Sequence, residues 1–447
     1  MLLAAALFTA SCANNASTSA EELRSVTAAS TENYTVTGTM MSYYYNDVYN
    51  TFVDYYGSYV QYYGLDTGKS LREQEAADGQ SWYDYFMGGA RLVVEDILVL
   101  CEAAMADGVA LSDAEKEALG NRVDKIDTGL YGDGVNRDDI YAAKLLEAVA
   151  YKYQFMKKAE LVPSEAELEA ARDSEVKAHS YVDYYSFPIY YAAEGSTAKG
   201  TFTEAQVIAY ADELARAADE AEFKRIVEKI LLAEDPEMSD KDLKSELDGL
   251  ETVGALYVEG NEVSEWAFGD STKKTLILAN PSQTMYTVYM LTATPYYDET
   301  ATVNVRHVLL SEAAWGSSEA AKTKAEELAA QFESDGTTEA FALLALEYSD
   351  DESTYYNGGL YENLTEGRTV EAFNDWCFDP DRKAGDVEVI ESDYGWHVML
   401  FEGEGLSAWQ TSVSESASSD ALGIYLAEIT EKYPVTFNDD VINTIPD

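Results

Sequence analysis

The spacing of apolar residues divides the chain into a helical first part and a mixed second part. From about residue 39 to residue 172, apolar positions recur every three or four residues, which predicts amphipathic helices. From about residue 176, strand-like segments alternate with helical ones. Four strands are predicted, at Val182–Tyr191, Thr284–Leu291, Val303–Leu310 and Trp396–Phe401. The pattern predicts an α+β protein with a helical N-terminal region and a C-terminal helix.

Capping residues set the helix boundaries. Ser112 with Glu115 forms a capping box, and Ser164 with Glu167 follows Pro163 at the start of another helix. Helices are predicted from Ser81 to Gly108, from Ser112, from Asp138 to Glu160, from Ser164, from Thr203 to Asp219, from Ser318, from Thr338 and from Ser418 to Lys432.

Six aromatic side chains fall on one face of the first predicted helix. Their spacings of 4, 3, 4, 3 and 4 residues match the helical period, and Gly64 ends the helix. The six are Tyr45, Tyr49, Phe52, Tyr56, Tyr59 and Tyr63. We favour the core of a helix bundle for this stripe. The alternative is an apolar cradle for unfolded chains.

Two segments of the second part repeat each other. Glu265–Phe268 aligns with Asp375–Phe378, and the same offset of 110 residues places Val288 on Val398. We interpret this as a duplicated α+β domain.

The charge balance restricts the partners. The 447 residues include 82 acidic and 30 basic residues, which gives a formal net charge of −52. Such a surface repels polyanions, so neither nucleic acid nor an anionic membrane surface is an expected partner.

The cysteines and histidines give no indication of a metal site. The chain has three of each, without the close pairs that zinc sites require, so no metal or other cofactor is expected. Cys101 and Cys377 lie in apolar helical runs and are predicted to be buried core residues. A disulfide between them is the alternative.

The first residues have the character of a targeting segment. Met1–Ala10 is apolar but too short to span a bilayer, and is similar to the apolar part of a signal peptide. Thr9–Cys12 resembles a bacterial lipobox, although Thr9 stands where Leu is usual and no basic residue precedes it. The resemblance implies a lipid on Cys12, followed by a flexible tether to about residue 33. The alternative is an ordinary N-terminal segment that is buried or frayed.

A set of motifs in the second copy resembles one enzyme family. In chain order the motifs are Val305–Leu310, Phe341–Ala345, Tyr348–Asp351, Asn357–Leu360, Phe373, Gly385-Asp386 and Ser392–Val398. Over about a hundred residues they resemble the parvulin family of peptidyl-prolyl cis/trans isomerases. With the helical region ahead and a helix behind, the whole chain resembles extracytoplasmic foldases of the PrsA and SurA type.

The resemblance implies a catalytic set. His307 and His397 are expected side by side on adjacent central strands. Asp351 falls near the imide that rotates, and Ser392 matches a hydroxyl that supports the histidine pair. These roles come from the family pattern. Taken alone, each histidine is more often a structural core residue.

The resemblance also implies a pocket for the proline ring. Leu360 and Phe373 match two of its apolar walls. Thr369 occupies a position where the family carries Met, which makes the expected pocket more polar. Tyr394 is expected at the rim.

The first copy is expected to lack the site. Ser186 takes the place of His307, and Thr287 takes the place of His397. We interpret this copy as a degenerate domain that binds clients or acts as a spacer.

Together these observations predict five segments. They are a signal and tether over residues 1–33, a helical chaperone-like region over 34–172, a degenerate parvulin-like domain over 173–299, a parvulin domain over 300–405 and a helical segment over 406–447. The expected function is isomerase and foldase for unfolded or partly folded, proline-containing secreted proteins, at the outer face of the cytoplasmic membrane. One alternative is a non-catalytic holdase that uses its parvulin domains as peptide-binding modules, and another is a surface protein that reuses the fold.

Overall fold

The computed structural model describes residues 19–76, 79–174, 176–192, 202–269 and 274–447, which form two units. The first unit comprises the described residues up to Val162 together with residues 303–405 and 417–447. The second comprises residues 163–302 and 406–416. The units differ from the predicted run of consecutive domains, because the helical region and the second α+β domain belong to one unit.

The helical region extends to Val162. Its helices and strands are α1 (Ala20–Ser25), β1 (Thr27–Ser30), β2 (Thr35–Thr37), α2 (Gly38–Tyr56), α3 (Trp82–Ala106), α4 (Asp113–Val123) and α5 (Arg137–Glu160). Short 3-10 helices occupy Gly57–Tyr63, Leu71–Glu73 and Thr128–Tyr131. Ser81 caps α3, and the predicted capping box of Ser112 and Glu115 starts α4. The helices predicted from these two residues are confirmed.

The expectation of a flexible tether is wrong for residues 19–33. Strand β1 pairs with β2, and Leu23 and Ala29 are buried in the core of the helical region. Arg24 forms an ion pair of 2.9 Å with the buried carboxylate of Asp139. These contacts outweigh the polar composition of the segment. Cys12 lies outside the described residues.

The aromatic stripe is only partly a core. Helix α2 ends at Tyr56, where Gly57 has a φ of +50° and starts a 3-10 helix. Tyr45 is buried and packs in the bundle, as predicted. Tyr59 and Tyr63 lie beyond the break and are exposed. The single six-residue helix face that we predicted is therefore wrong, because the chain changes helix type within it.

The second unit contains the first α+β domain. Its elements are α6 (Glu165–Ser174), α7 (Val176–His179), β3 (Tyr181–Tyr190), α8 (Glu204–Leu214), α9 (Glu220–Glu234), α10 (Asp240–Asp248), β4 (Glu251–Ala255), α11 (Glu262–Ala267), β5 (Thr275–Asn280) and β6 (Met285–Tyr296). The strands form an antiparallel sheet in the order β4-β3-β6-β5. Helix α8 ends at Leu214, five residues before the predicted end, and Asp219 instead caps α9.

The second α+β domain has the same strand order as the first. Its elements are β7 (Ala301–Leu310), α12 (Glu312–Trp315), α13 (Ser318–Asp335), α14 (Thr338–Tyr348), β8 (Leu360–Leu364), α15 (Glu371–Cys377), β9 (Val387–Ser392) and β10 (Gly395–Ser407). The sheet order is β8-β7-β10-β9. Apolar residues of α13 and α14 pack against Val308, Leu310 and Val398, and α15 packs with Val305 and Met399. The shared order agrees with the duplication.

The C-terminal segment contains α16 (Ala408–Lys432), β11 (Thr436–Phe437) and α17 (Asp439–Ile442). Helix α16 starts ten residues before the predicted Ser418. Ile429 and Ile442 are buried in the core of the helical region, and β11 pairs with β1. The fold class is confirmed: a helical N-terminal region, two α+β domains and a C-terminal helix.

Cys101 and Cys377 are both buried and free, as the core interpretation predicted. Their burial raises the pKa of each thiol to about 12. Of the helices that the structure describes, none is both long and apolar enough to cross a membrane.

Candidate active site

The two histidines lie on the two central strands of the second α+β domain. Alternation along β7 turns Val305 and His307 to one face of the sheet and Val308 to the other. His397 and Met399 lie on the corresponding face of β10. Both imidazoles are buried, and their Nδ1 atoms are 3.1 Å apart. The predicted side-by-side placement is what the structure has.

Asp351 approaches the pair from the loop after α14. Its Oδ2 lies 2.7 Å from Nε2 of His307, and the Thr354 hydroxyl donates to the same oxygen at 2.6 Å. Burial alone would raise the pKa of this carboxyl. Hydrogen bonds from His307, Thr354 and Ser353 outweigh the burial and hold the pKa well below its ordinary value. The site therefore contains a fixed negative charge.

Ser392 closes the other end of the pair. Its hydroxyl oxygen lies 2.7 Å from Nε2 of His397 and accepts the backbone N–H of Tyr394 at 3.1 Å. Burial, together with the neighbouring His307, lowers the pKa of His397 to about 3. The ring of His397 is therefore neutral near pH 7.

Hydrogen bonds join these four side chains in one line. Ionised Asp351 can only accept, so Nε2–H of His307 donates to it. The neutral ring of His397 is hydrogen-bonded through Nδ1 to His307 and through Nε2 to Ser392. Both rings are therefore held in fixed orientations. We call Ser392, His397, His307 and Asp351 the histidine line.

Aromatic and apolar side chains border the histidine line. The Phe373 ring lies edge-on to both imidazoles, with centroids 5.3 Å from His307 and 5.5 Å from His397. Tyr361 lies 5.3 Å from the His307 ring. Met399 is fully buried in the same cluster as Phe373. The site is thus polar along one line and apolar beside it.

Sequence reasoning did not single out Thr354, Tyr361 or Met399. Strand alternation could have found Met399, since it lies two residues after His397. Tyr361 directly follows the Asn357–Leu360 motif. No sequence pattern indicates Thr354, because its contact with Asp351 depends on the conformation of a loop.

The Asn-Gly-Gly motif is explained by a close backbone approach. Gly359 has a φ of +76°, and its carbonyl accepts the N–H of His307 at 2.9 Å. A Cβ added at Gly359 would lie 2.2 Å from the carbonyl oxygen of His307, and one at Gly358 would lie 2.6 Å from Cβ of Ala342. Only glycine fits at either position.

The remaining predicted pocket residues differ in their surroundings. Leu360 pairs with Arg306 across β8 and β7 and is half-buried. The hydroxyl of Thr369 is buried, and the described residues give it no hydrogen-bond partner. Tyr394 is 65% exposed on the turn between β9 and β10. Phe373 is the member of this set that contacts the histidines.

The thiol of Cys377 is buried and uncharged, so it is not available as a nucleophile. Across the described part of the chain, no three His, Cys, Asp or Glu side chains are grouped to hold a metal ion. What the site offers is an apolar surface beside one fixed negative charge and a rigid hydrogen-bonded line. Such a site can bind and distort a ligand without breaking a bond.

Residues 288–402 match the family model of the PPIC-type PPIase domain. The matched segment begins in β6, ends in β10 and contains the whole histidine line. The resemblance to peptidyl-prolyl isomerases is thereby confirmed for the second α+β domain. The search of curated proteins gave no match.

Three solved structures are similar to the chain at low identity. One belongs to the pair of SurA-like chaperones PEB4 and Cj1289 of Campylobacter jejuni, with 13% identity over 73% of this chain and 93% of that chain, at a TM-score of 0.20. PrsA of Bacillus anthracis has 14% identity over 64% and 96%, at 0.20, and PrsA of Bacillus cereus has 15% over 57% and 97%, at 0.22. TM-scores this low carry no argument about fold or function.

Proposed function

We infer from the PPIC-type PPIase domain that the chain is a peptidyl-prolyl isomerase, and we propose that its active centre is formed by His307, Asp351 and His397. One observation carries the proposal: the ring of Phe373 lies edge-on to the two hydrogen-bonded imidazoles, one of which contacts Asp351. A prolyl peptide needs both features, an apolar surface for its ring and a rigid polar wall beside the imide.

The chemistry of the reaction suits this site. Resonance resists rotation of the C–N bond by about 18–20 kcal/mol, and no bond is broken when the bond turns. The twisted imide has less charge separation than the planar one, so a buried apolar site favours it. An enzyme need only bind this twisted form better than either planar isomer. A thousandfold acceleration requires about 4 kcal/mol of such preference.

An exchange assay on a short prolyl peptide tests the proposal. The full chain should accelerate cis/trans exchange, and Asp351→Ala should lower kcat/KM at least tenfold while the protein stays folded by circular dichroism. The matched control is Glu352→Ala, because Glu352 is exposed and directly follows Asp351, and this variant should keep the wild-type rate. Asp350 is unsuitable as a control because its carboxylate accepts hydrogen bonds from Ser311. A folded wild-type chain without any acceleration would overturn the proposal.

We further propose that the chain acts outside the cytoplasmic membrane as a lipid-anchored foldase for secreted proteins. Support comes from the lipobox-like Thr9–Cys12 and from the apolar run before it. Labelled palmitate should enter the wild type expressed in a bacterial host and should not enter Cys12→Ser. If the wild type takes up no label, the proposal of a lipid anchor is wrong, and the proposal of isomerase activity is unaffected.

A holdase role is the second candidate, and an exposed aromatic patch favours it. Tyr55 and Tyr62 are 81% and 85% exposed, and the ring of Tyr59 stacks on Tyr62 at 5.8 Å. Tyr63 and Tyr85 extend the patch through contacts with Phe52. Exposed aromatic clusters of this kind mark surfaces that bind other chains.

An aggregation-suppression assay tests whether this aromatic patch binds clients. The triple variant Tyr55→Ser, Tyr59→Ser and Tyr62→Ser should protect a denatured client less well and keep its isomerase rate. A matched control replaces Val253, Leu256 and Val258 with Ser, which are also exposed apolar residues. If both triple variants protect the client equally well, the aromatic patch is not the surface that binds it.

A further inference from the structure

The loop that carries Asp351 is held from two sides. On one side Asp351 and Thr354 contact His307. On the other side the loop packs against α4 and α5 of the helical region, in a hydrophobic cluster that contains Leu119, Leu346 and Tyr355. Because the helical region and this domain form one unit, the second side is part of the folded site.

Arg122 of α4 contacts the start of the loop. Its Nη1 donates to the carbonyl oxygen of Ser349 at 2.8 Å, and its guanidinium lies 3.9 Å from the ring centroid of Tyr355. The hydroxyl oxygen of Ser349 in turn accepts the backbone N–H of Asp351 at 3.3 Å and that of Leu309 at 3.1 Å. One arginine therefore reaches the backbone that sets the position of Asp351.

Two residues of α5 hold the end of the loop. Lys144 donates to the Tyr355 hydroxyl at 3.3 Å and forms an ion pair of 2.8 Å with Glu147. The Tyr356 hydroxyl donates to Glu147 at 2.8 Å. Lys144 and Glu147 expose only 13% and 9% of their side chains, so this is a buried, hydrogen-bonded pair. Removing one partner of such a pair would leave the other charge buried and unpaired.

The end of the loop is hydrogen-bonded back to the main chain of Asp351. The N–H of Tyr355 donates to the backbone carbonyl of Asp351 at 3.2 Å, and the N–H of Thr354 donates to it at 3.3 Å. A change in the position of Tyr355 therefore moves Asp351 relative to His307. The helical region contacts both ends of this segment, and the imidazole of His307 contacts Asp351 and Thr354 between them.

We propose that the helical region positions the catalytic carboxylate, with Arg122 as the main positioning residue and Lys144 and Glu147 as its supports on α5. The inference rests on the proposed function of the site. The isomerase domain is then not an independent module, because its acid is placed by helices more than two hundred residues earlier in the chain.

The test is a double-substitution cycle in the full chain. Arg122→Met should lower kcat/KM for a short prolyl peptide about tenfold, since small displacements of catalytic groups cost large factors in rate. Combined with Asp351→Ala, the same substitution should change the remaining rate less than about twofold. Arg122→Lys, which retains one donor, should recover part of the loss.

Arg137→Met is the matched control. Arg137 joins α5 to α4 through Gly120 and Asp124 and does not contact the loop. Its replacement should leave kcat/KM unchanged. An unchanged rate in Arg122→Met, or an equal loss in the Asp351→Ala background, would overturn the proposal.

A spectroscopic readout does not depend on activity. The chain has three histidines, so the imidazole ¹⁵N spectrum of the labelled full chain is simple to assign, with His307→Gln identifying one set of signals. Arg122→Met should shift the His307 signals and Arg137→Met should not. If the wild type has no isomerase activity, the proposed function fails. In that case identical His307 signals in both variants would still overturn the positioning role.

Discussion

His397 and Asp351 both keep their charge states through the pH range in which free histidine titrates. Burial and His307 lower the pKa of His397 to about 3, and hydrogen bonds hold the pKa of Asp351 below its ordinary value. Rotation of the imide needs no proton transfer. We therefore expect kcat/KM to be nearly flat between about pH 5.5 and pH 8 in an exchange assay. A steep loss centred near the usual histidine pKa, in folded protein, would contradict this.

Stability should depend on pH where the rate does not. The unfolded chain binds a proton at residue 397 below its usual pKa of about 6.5, whereas the native ring stays neutral down to about 3. The free energy of unfolding should therefore fall as the pH drops through this window, by at most about 1.4 kcal/mol per pH unit from this group. His397→Asn should show a shallower slope between pH 6 and pH 4 in urea unfolding.

Thr369 is the predicted pocket position at which the chain departs from the parvulin pattern, because that family carries Met there. Its buried hydroxyl has no hydrogen-bond partner among the described residues, and Thr369 lies just before α15, the helix that carries Phe373. Thr369→Val removes the polar atom at nearly constant volume and should stabilise the protein by about 1 kcal/mol in chemical unfolding. Thr369→Met should in addition raise kcat/KM by enlarging the apolar wall. A stabilised Met variant with an unchanged rate would show that Thr369 does not line the pocket.

At the scale of elements, strands and capped helices were predictable, and loops were not. The alternation around His307 and His397 and the capping box of Ser112 depend on local spacing, which the chain displays directly. The break of α2 coincides with Gly57, whose positive φ the aromatic spacing does not reveal. The fold of residues 19–33 depends on contacts far along the chain, such as that of Arg24 with Asp139. Likewise, the motif placed Asp351 near the site, but its bonds with Thr354 depend on the loop conformation.

The turn before β8 gives a test of that loop. A methyl group at Gly359 would collide with the carbonyl oxygen of His307 at 2.2 Å, and the φ there is +76°. Gly359→Ala should therefore lower the free energy of unfolding by about 2 kcal/mol or more and disturb the site. Gly367→Ala is the control, because it has a similar φ of +80° but no atom within 4 Å of the added Cβ. Equal losses in thermal unfolding would mean that backbone strain alone explains the effect.

At the scale of the whole molecule, the two α+β domains share one fold and differ in the side chains at the positions of the histidine line. Both sheets have the same strand order, and α11 and α15 precede the last two strands of each. The second copy shares a unit with the helical region, while the first forms the core of the other unit. The copies also differ at the histidine line, because the first copy has Ser186 and Thr287 at the strand positions that correspond to His307 and His397.

The first copy should contribute no isomerase activity to the full chain. Ser186 and Thr287 stand in place of the histidines on β3 and β6, so these positions provide no pair of imidazoles. In the double variant Asp351→Ala and His397→Ala, exchange of a prolyl peptide should fall to the uncatalysed rate. Thermal unfolding should show that the second unit, which neither substitution touches, is still folded. A residual rate that disappears on Thr287→Val would show that the first copy is a second active domain.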